Sequence, residues 1–278
     1  MILVDIGNSG LRATHVADGA LFTNQKVYRL SWAAAVASLR KPSPEQEAAP
    51  DQRWCTLDDR PAFDWLVSRF LAVGQEDLRV SCVQRRALEL LRASLDTSGM
   101  RADFEPVTYQ DIPMEIDVET PGKTGVDRLL AAFSAFRYVN ESKGLEGPVI
   151  VIQAGTAVTV DLVSATGMFC GGSIMPGLGL SLQLLAAGTD LFPWLGNHAV
   201  DVWPTLPGKN TEQAISAGVN AALVGGAAHL VGRYRSEMNR ASPIPVVISG
   251  GDGQLLMPHI AEPVEFLDHL VLRGLSRI

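Results

Sequence analysis

The chain has 278 residues, with 23 Lys and Arg against 30 Asp and Glu, a net charge of −7. That balance argues against a nucleic-acid-binding face, which would cluster cations, but leaves anionic small molecules open, because backbone amides and a few local cations hold phosphate. Apolar residues at 47% and charged residues at 19% suffice for a sizeable core and exclude a disordered chain, and the length is near two typical domains. Cys55, Cys82 and Cys170 form no CxxC and cannot all pair, so a reducing, cytoplasmic setting is expected. Asp5 interrupts the first apolar run too early for a signal peptide. The apolar stretch 221–232 is short and Gly/Ala-rich, so no membrane span is expected.

In chain order, strands are expected at residues 1–6, 11–16 and 21–28, the last after a turn at Asp18–Gly19. A helix at 32–39 leads into a polar, proline-marked loop at 42–53. Strand-like runs at 53–57 and 79–83 alternate with helix-like runs at 63–73 and 87–95, which reads as α/β. A break at Pro121–Gly122 precedes an amphipathic helix with Leu129, Leu130, Phe133 and Phe136 on one face. The second half opens as the first did: a strand at 149–152, a turn at Gly155–Thr156 and a strand at 158–163. A duplicated fold follows from that parallel, with halves at 1–117 and 118–278. Helices are expected at 178–187 and 212–238, and a strand at 244–249 runs into a glycine turn at 250–253.

Five segments carry candidate chemistry. Asp5, Ile6, Gly7, Asn8, Ser9, Gly10, Leu11 and Arg12 form a turn whose amides can line a phosphate, with Asp5 able to hold a hydrated cation and Arg12 able to meet a phosphoryl group; a plain hairpin turn would use the same residues. Gln153 to Asp161 is a second such turn, offering Thr156, Thr159 and Asp161. Gly125, Val126, Asp127 and Arg128 open the amphipathic helix, and Asp127 reads either as a general base beside an arginine or as a helix-dipole carboxylate. Residues 171–177 and 249–252 are expected as glycine turns, and Asn210–Thr211 as a helix cap. His15, His198, His229, His259 and His269 show no metal-ligand spacing, and no Walker A motif is present.

Taken together and in order, DIGNSGLR at 5–12, GVDR at 125–128, GTAVTVD at 155–161, GGSIMPG at 171–177 and NTEQAISAG at 210–218 resemble the type III pantothenate kinases. The resemblance covers residues 1–253. It implies two ribonuclease-H-like domains of the actin, sugar-kinase and Hsp70 type with a cleft between them, and ATP-dependent phosphorylation of pantothenate, the first step toward coenzyme A. By match, residues 5–12 would be the first phosphate loop, Thr156 an ATP contact, Asp127 the proton acceptor, and Gly125, Val126, Arg128 and Thr211 substrate contacts. Mg²⁺ would sit near Asp5, reached through water. A homodimer is implied, with neither nucleic acid nor membrane as partner. The chain departs from the family pattern twice. Gln153 stands where an aspartate usually helps hold K⁺ or NH₄⁺, and Val118 where a tyrosine lines the substrate pocket. Both departures leave open a regulatory paralogue or a kinase for another small hydroxy acid.

Overall fold

Two apolar strands, β1 (Ile2–Ile6) and β5 (Val149–Ala154), are buried along nearly their whole length, the pattern of strands covered on both faces. The computed structural model describes residues 1–17, 22, 25–32, 59–71, 77–100, 104–195, 206–238 and 242–278, and sets each of these strands inside its own mixed sheet. β1 pairs antiparallel with β2 (Gly10–His15), which pairs antiparallel with β3 (Tyr28–Ser31). On its other side β1 runs parallel to β4 (Leu78–Cys82). β5 repeats this: antiparallel to β6 (Ala157–Val163), which is antiparallel to β7 (Phe169–Pro176), and parallel to β8 (Val246–Ser249), with β9 (Val264–Phe266) parallel beyond. The orders β3-β2-β1-β4 and β7-β6-β5-β8-β9 match strand for strand, so the duplication is present as topology. Beside β4, where β9 lies in the second sheet, runs extended chain whose Val107 N–H donates to Val80 O at 2.8 Å.

Helices fill three layers. α1 (Arg60–Leu71) and α2 (Arg85–Thr97) cover the outer face of the first sheet, packing on Ile2, Val4 and Ile6. α4 (Leu178–Gly188), α5 (Thr211–Met238) and the short α6 (Gly253–Leu256) cover the outer face of the second, on Ile150 and Ile152. Between the sheets lie α3 (Val126–Arg137) and α7 (Leu270–Leu275), in one core with Leu3 of β1 and Val151 of β5. Strand alternation then decides what faces this central layer. Asp5 follows Leu3, Gln153 follows Val151, and Asp161 precedes the inward Val163, so all three polar groups point toward α3.

The structure departs from the sequence expectations in several places. α3 is buried on nearly every side from Leu129 to Ala135 rather than along one stripe, because it is clamped between two sheets. Residues 171–177 are expected as a glycine turn, but all except Gly177 belong to β7, a strand whose Gly172 makes room for Asp161. β3 lies at 28–31, not 21–28, and β9 and α7 had no expectation at all. The Asp18–Gly19 turn, residues 33–57 with Cys55, and His198 lie outside the described residues. α5 is long and apolar enough to cross a membrane, but half of that apolar stretch is buried inside the fold, with Ile215, Val219, Leu223 and Ala227 repeating every four residues against the second sheet.

Candidate active site

The first turn is held from behind. Trp32, buried and stacked on Phe63 at 5.6 Å, donates its indole N–H to Gly7 O at 3.3 Å and its backbone N–H to Ser9 O at 3.1 Å. Gly7 N–H closes the turn on Gly10 O at 2.9 Å. A Cβ on Gly10 would lie 2.2 Å from Leu30 O, so β3 approaches this closely only because the residue is glycine. Asp5, near the end of β1, is almost fully buried, and Arg12, its cross-strand neighbour, donates to Asp5 Oδ2 at 3.3 Å. The other oxygen, Oδ1, is buried with no hydrogen-bond partner.

The second turn faces the first. Ser9 and Thr156 share a hydrogen bond across the two halves, joining the turns at their tips. On the inner face of the second sheet, Gln153 directs its amide N–H at Asp127 O, 3.4 Å away at the start of α3. Asp127 Oδ1 accepts from the Arg128 N–H at 2.9 Å, a one-residue bond that turns the carboxylate back over the helix N-terminus. Arg128 reaches the other way. Its Nε donates to both oxygens of Asp161, at 3.2 and 3.3 Å, its Nη2 donates to Oδ1, and its guanidinium lies over the Phe169 ring at 5.6 Å.

Three carboxylates and two arginines therefore converge at the mouth of the central layer. Burial raises the pKa of Asp5 from 3.8 to about 6, Arg12 opposing and the Asp127 charge adding to the rise. Burial also raises Asp127, opposed by the Arg128 N–H and guanidinium. A carboxylate kept basic in this way, beside two glycine-containing turns, can take a proton from a hydroxyl while phosphate charge is held by backbone and arginine.

Asp5, Ser9, Arg12, Asp127, Arg128, Gln153 and Thr156 are thus brought together. Ile6, Leu11 and Val126 send their side chains into the core, and Asn8 is exposed. Thr211 goes elsewhere. It begins α5, where Asn210 caps the helix through Gln213 N–H at 2.8 Å, and lines a cavity of about 810 Å³ between α4 and α5. None of that cavity's lining residues belongs to the carboxylate cluster. Val118 sits against Gly171 of β7. In the sequence Asp161 offers a carboxylate with no assigned role, although strand alternation from Val163 puts it on the inner face. Trp32 is expected from the sequence only as the start of a helix, and nothing local signals its hold on the turn.

A family model described as type III pantothenate kinase matches residues 1–233. A type III pantothenate kinase of Rhodopirellula baltica is 34% identical over 279 residues, covering 98% of this chain and 96% of the relative. Another from Chromobacterium violaceum is 38% identical over 154 residues, 55% of this chain and 60% of its own length. Among solved structures, one described as a conserved Baf family transcriptional activator from Campylobacter jejuni aligns over 100% of this chain and 96% of its own, at 18% identity and a TM-score of 0.51, a likeness of fold alone.

Proposed function

This chain belongs to the type III pantothenate kinase family, and we propose that its inter-sheet cleft carries the family reaction with Asp127 as the general base. The reaction is the ATP-dependent phosphorylation of pantothenate in coenzyme A biosynthesis. One observation supports the assignment above the others: Asp127, its pKa raised by burial, opens α3 between the two sheets, held by Gln153 of β5 beside the two turns that meet through Ser9 and Thr156. Asp127 Oδ1 is engaged by the Arg128 N–H, which leaves Oδ2 for the pantothenate hydroxyl. As that hydroxyl gives its proton to Oδ2, its oxygen bonds to the γ-phosphorus and the bond to ADP breaks. The amides of the two turns and Arg12 hold the phosphates, and Arg128 holds the acid substrate.

Asp5 fits a divalent cation. Arg12 meets only Oδ2, while Oδ1 is buried without a hydrogen-bond partner and burial holds the carboxyl above its ordinary pKa, so one oxygen is left for a cation. Mg²⁺ there, reached directly or through water, would neutralise phosphate charge. Gln153 fits a monovalent cation poorly, since it turns an N–H donor toward the helix and carries no charge. The remaining features of this reading are a cytoplasmic enzyme and a homodimer formed through the α4–α5 face. The central test is Asp127→Asn, which should lower turnover with pantothenate by about 10² to 10⁴ without lowering the melting temperature. Near wild-type turnover would return Asp127 to a helix-dipole role.

A further inference from the structure

Asp161 is a fully buried ionisable group that this mechanism leaves without a task. It is 0% exposed, in the middle of β6, and its hydrogen bonds to Arg128 run from Nε and Nη2, one edge of the guanidinium. Two features of β7 exist to house the pair. The cross-strand partner of Asp161 is Gly172, where a Cβ would lie 2.2 Å from Asp161 Oδ1 and 2.4 Å from Val160 O, so any side chain there would evict the carboxylate. The register between β6 and β7 then shifts, with Gly171 at φ +87°, and the displaced strand brings Phe169 opposite Val163 and under the guanidinium. A glycine pair and a bulge weaken a strand, and a buried ion pair is no more stabilising than apolar residues of equal volume. The arrangement is therefore better explained by what it fixes than by what it stabilises.

We propose that Asp161 is a positioning residue: it captures the Nε–Nη2 edge of Arg128 and, with Phe169 beneath, leaves the Nη1 edge as the only part of the guanidinium presented to the acid substrate. This rests on the reading of Arg128 as a pantothenate contact. It adds that substrate orientation in the cleft is set from β6 and β7, outside the motif that contains the base.

The test is a double-mutant cycle on the full-length protein with Asp161→Asn, Arg128→Lys and the pair, measuring KM for pantothenate, KM for ATP, kcat and melting temperature. Asparagine keeps the size and one acceptor oxygen of Asp161, and lysine keeps the charge of Arg128 without its fork. Each single variant should raise the pantothenate KM on the order of tenfold or more while the ATP KM stays within about twofold. The pair should be no worse than Arg128→Lys alone, because Asp161 acts through Arg128. Additive effects, an unchanged pantothenate KM in either soluble variant, or a lowered melting temperature with intact kinetic constants would overturn the proposal. Wild-type protein that does not phosphorylate pantothenate would overturn the functional reading instead.

Discussion

Asp5 is held in an unfavourable state when the cleft holds neither nucleotide nor cation. Its pKa rises from 3.8 to about 6, mainly through burial, so between those values the folded chain binds a proton that the unfolded chain has lost. Stability therefore falls as pH rises through that window, and above it the penalty is constant, on the order of 3 kcal/mol. Asp5→Asn removes the charge, so in chelator and without nucleotide it should melt higher than wild type at pH 7.5. The difference should shrink toward zero near pH 4, and a variant that melts lower at both pH values would contradict the assignment. Gln153 carries the opposite lesson, a missing charge. A unit charge pair at about 4 Å is worth roughly 4 kcal/mol at an effective dielectric near 20, and a third of that is tenfold in affinity. Weak or absent activation by potassium is expected in the native protein, and potassium dependence should appear in Gln153→Asp. Strong saturable activation of the unaltered protein at low millimolar potassium would show that carbonyl oxygens build the site without that carboxylate.

At the scale of elements, the phosphate turn between β1 and β2 owes its shape to β3 and Trp32. Trp32→Phe keeps the stacking on Phe63 but removes the indole N–H to Gly7 O, a bond of about 1 kcal/mol. The ATP KM should rise several-fold with pantothenate KM unchanged, whereas equal changes in both would place the effect in general stability. Much of this architecture was legible in the sequence. The buried runs β1 and β5, each followed by a glycine turn and a second strand, gave the duplication. The period-two alternation along those strands already aims Asp5, Gln153 and Asp161 at one layer. What was not legible came from long-range packing. α3 carries an amphipathic pattern yet is buried on nearly every side from Leu129 to Ala135, because both sheets and α7, some 130 residues later, close around it. β7 reads as a turn because glycine favours turns locally, while its glycines answer a carboxylate on the neighbouring strand. Thr211 matched its motif but opens a helix on the far side of the second sheet.

The whole molecule buries the inner faces of both sheets but leaves one outer surface incomplete. The cavity between α4 and α5 is lined mainly by apolar groups, among them Leu184, Leu185, Phe192, Ile215 and Val219. Along α5 its floor is Ala214, Gly218 and Ala222, spaced by four, and beside Gly218 there is open space for a side chain. Leu184 is 56% exposed here, Leu191, 87% exposed, precedes the lining Phe192, and Leu206, 71% exposed, lies two residues before the lining Gly208. Leucines left in water next to an unfilled apolar cavity mark a protein-binding surface, and small residues along a helix let a second helix approach closely. A second copy of this chain, docking by a two-fold axis, would present the same leucines to the same cavity. Sedimentation at micromolar concentration should then report about twice the chain mass of 29.8 kDa. Leu184→Glu would place a charge in the centre of that contact and cost about 2 kcal/mol or more, weakening the dimer roughly 30-fold or more. The variant should sediment as a monomer at the same concentration while keeping the helical signal of the wild type. A wild-type monomer, or a dimer indifferent to Leu184→Glu, would remove the α4–α5 face from the assembly.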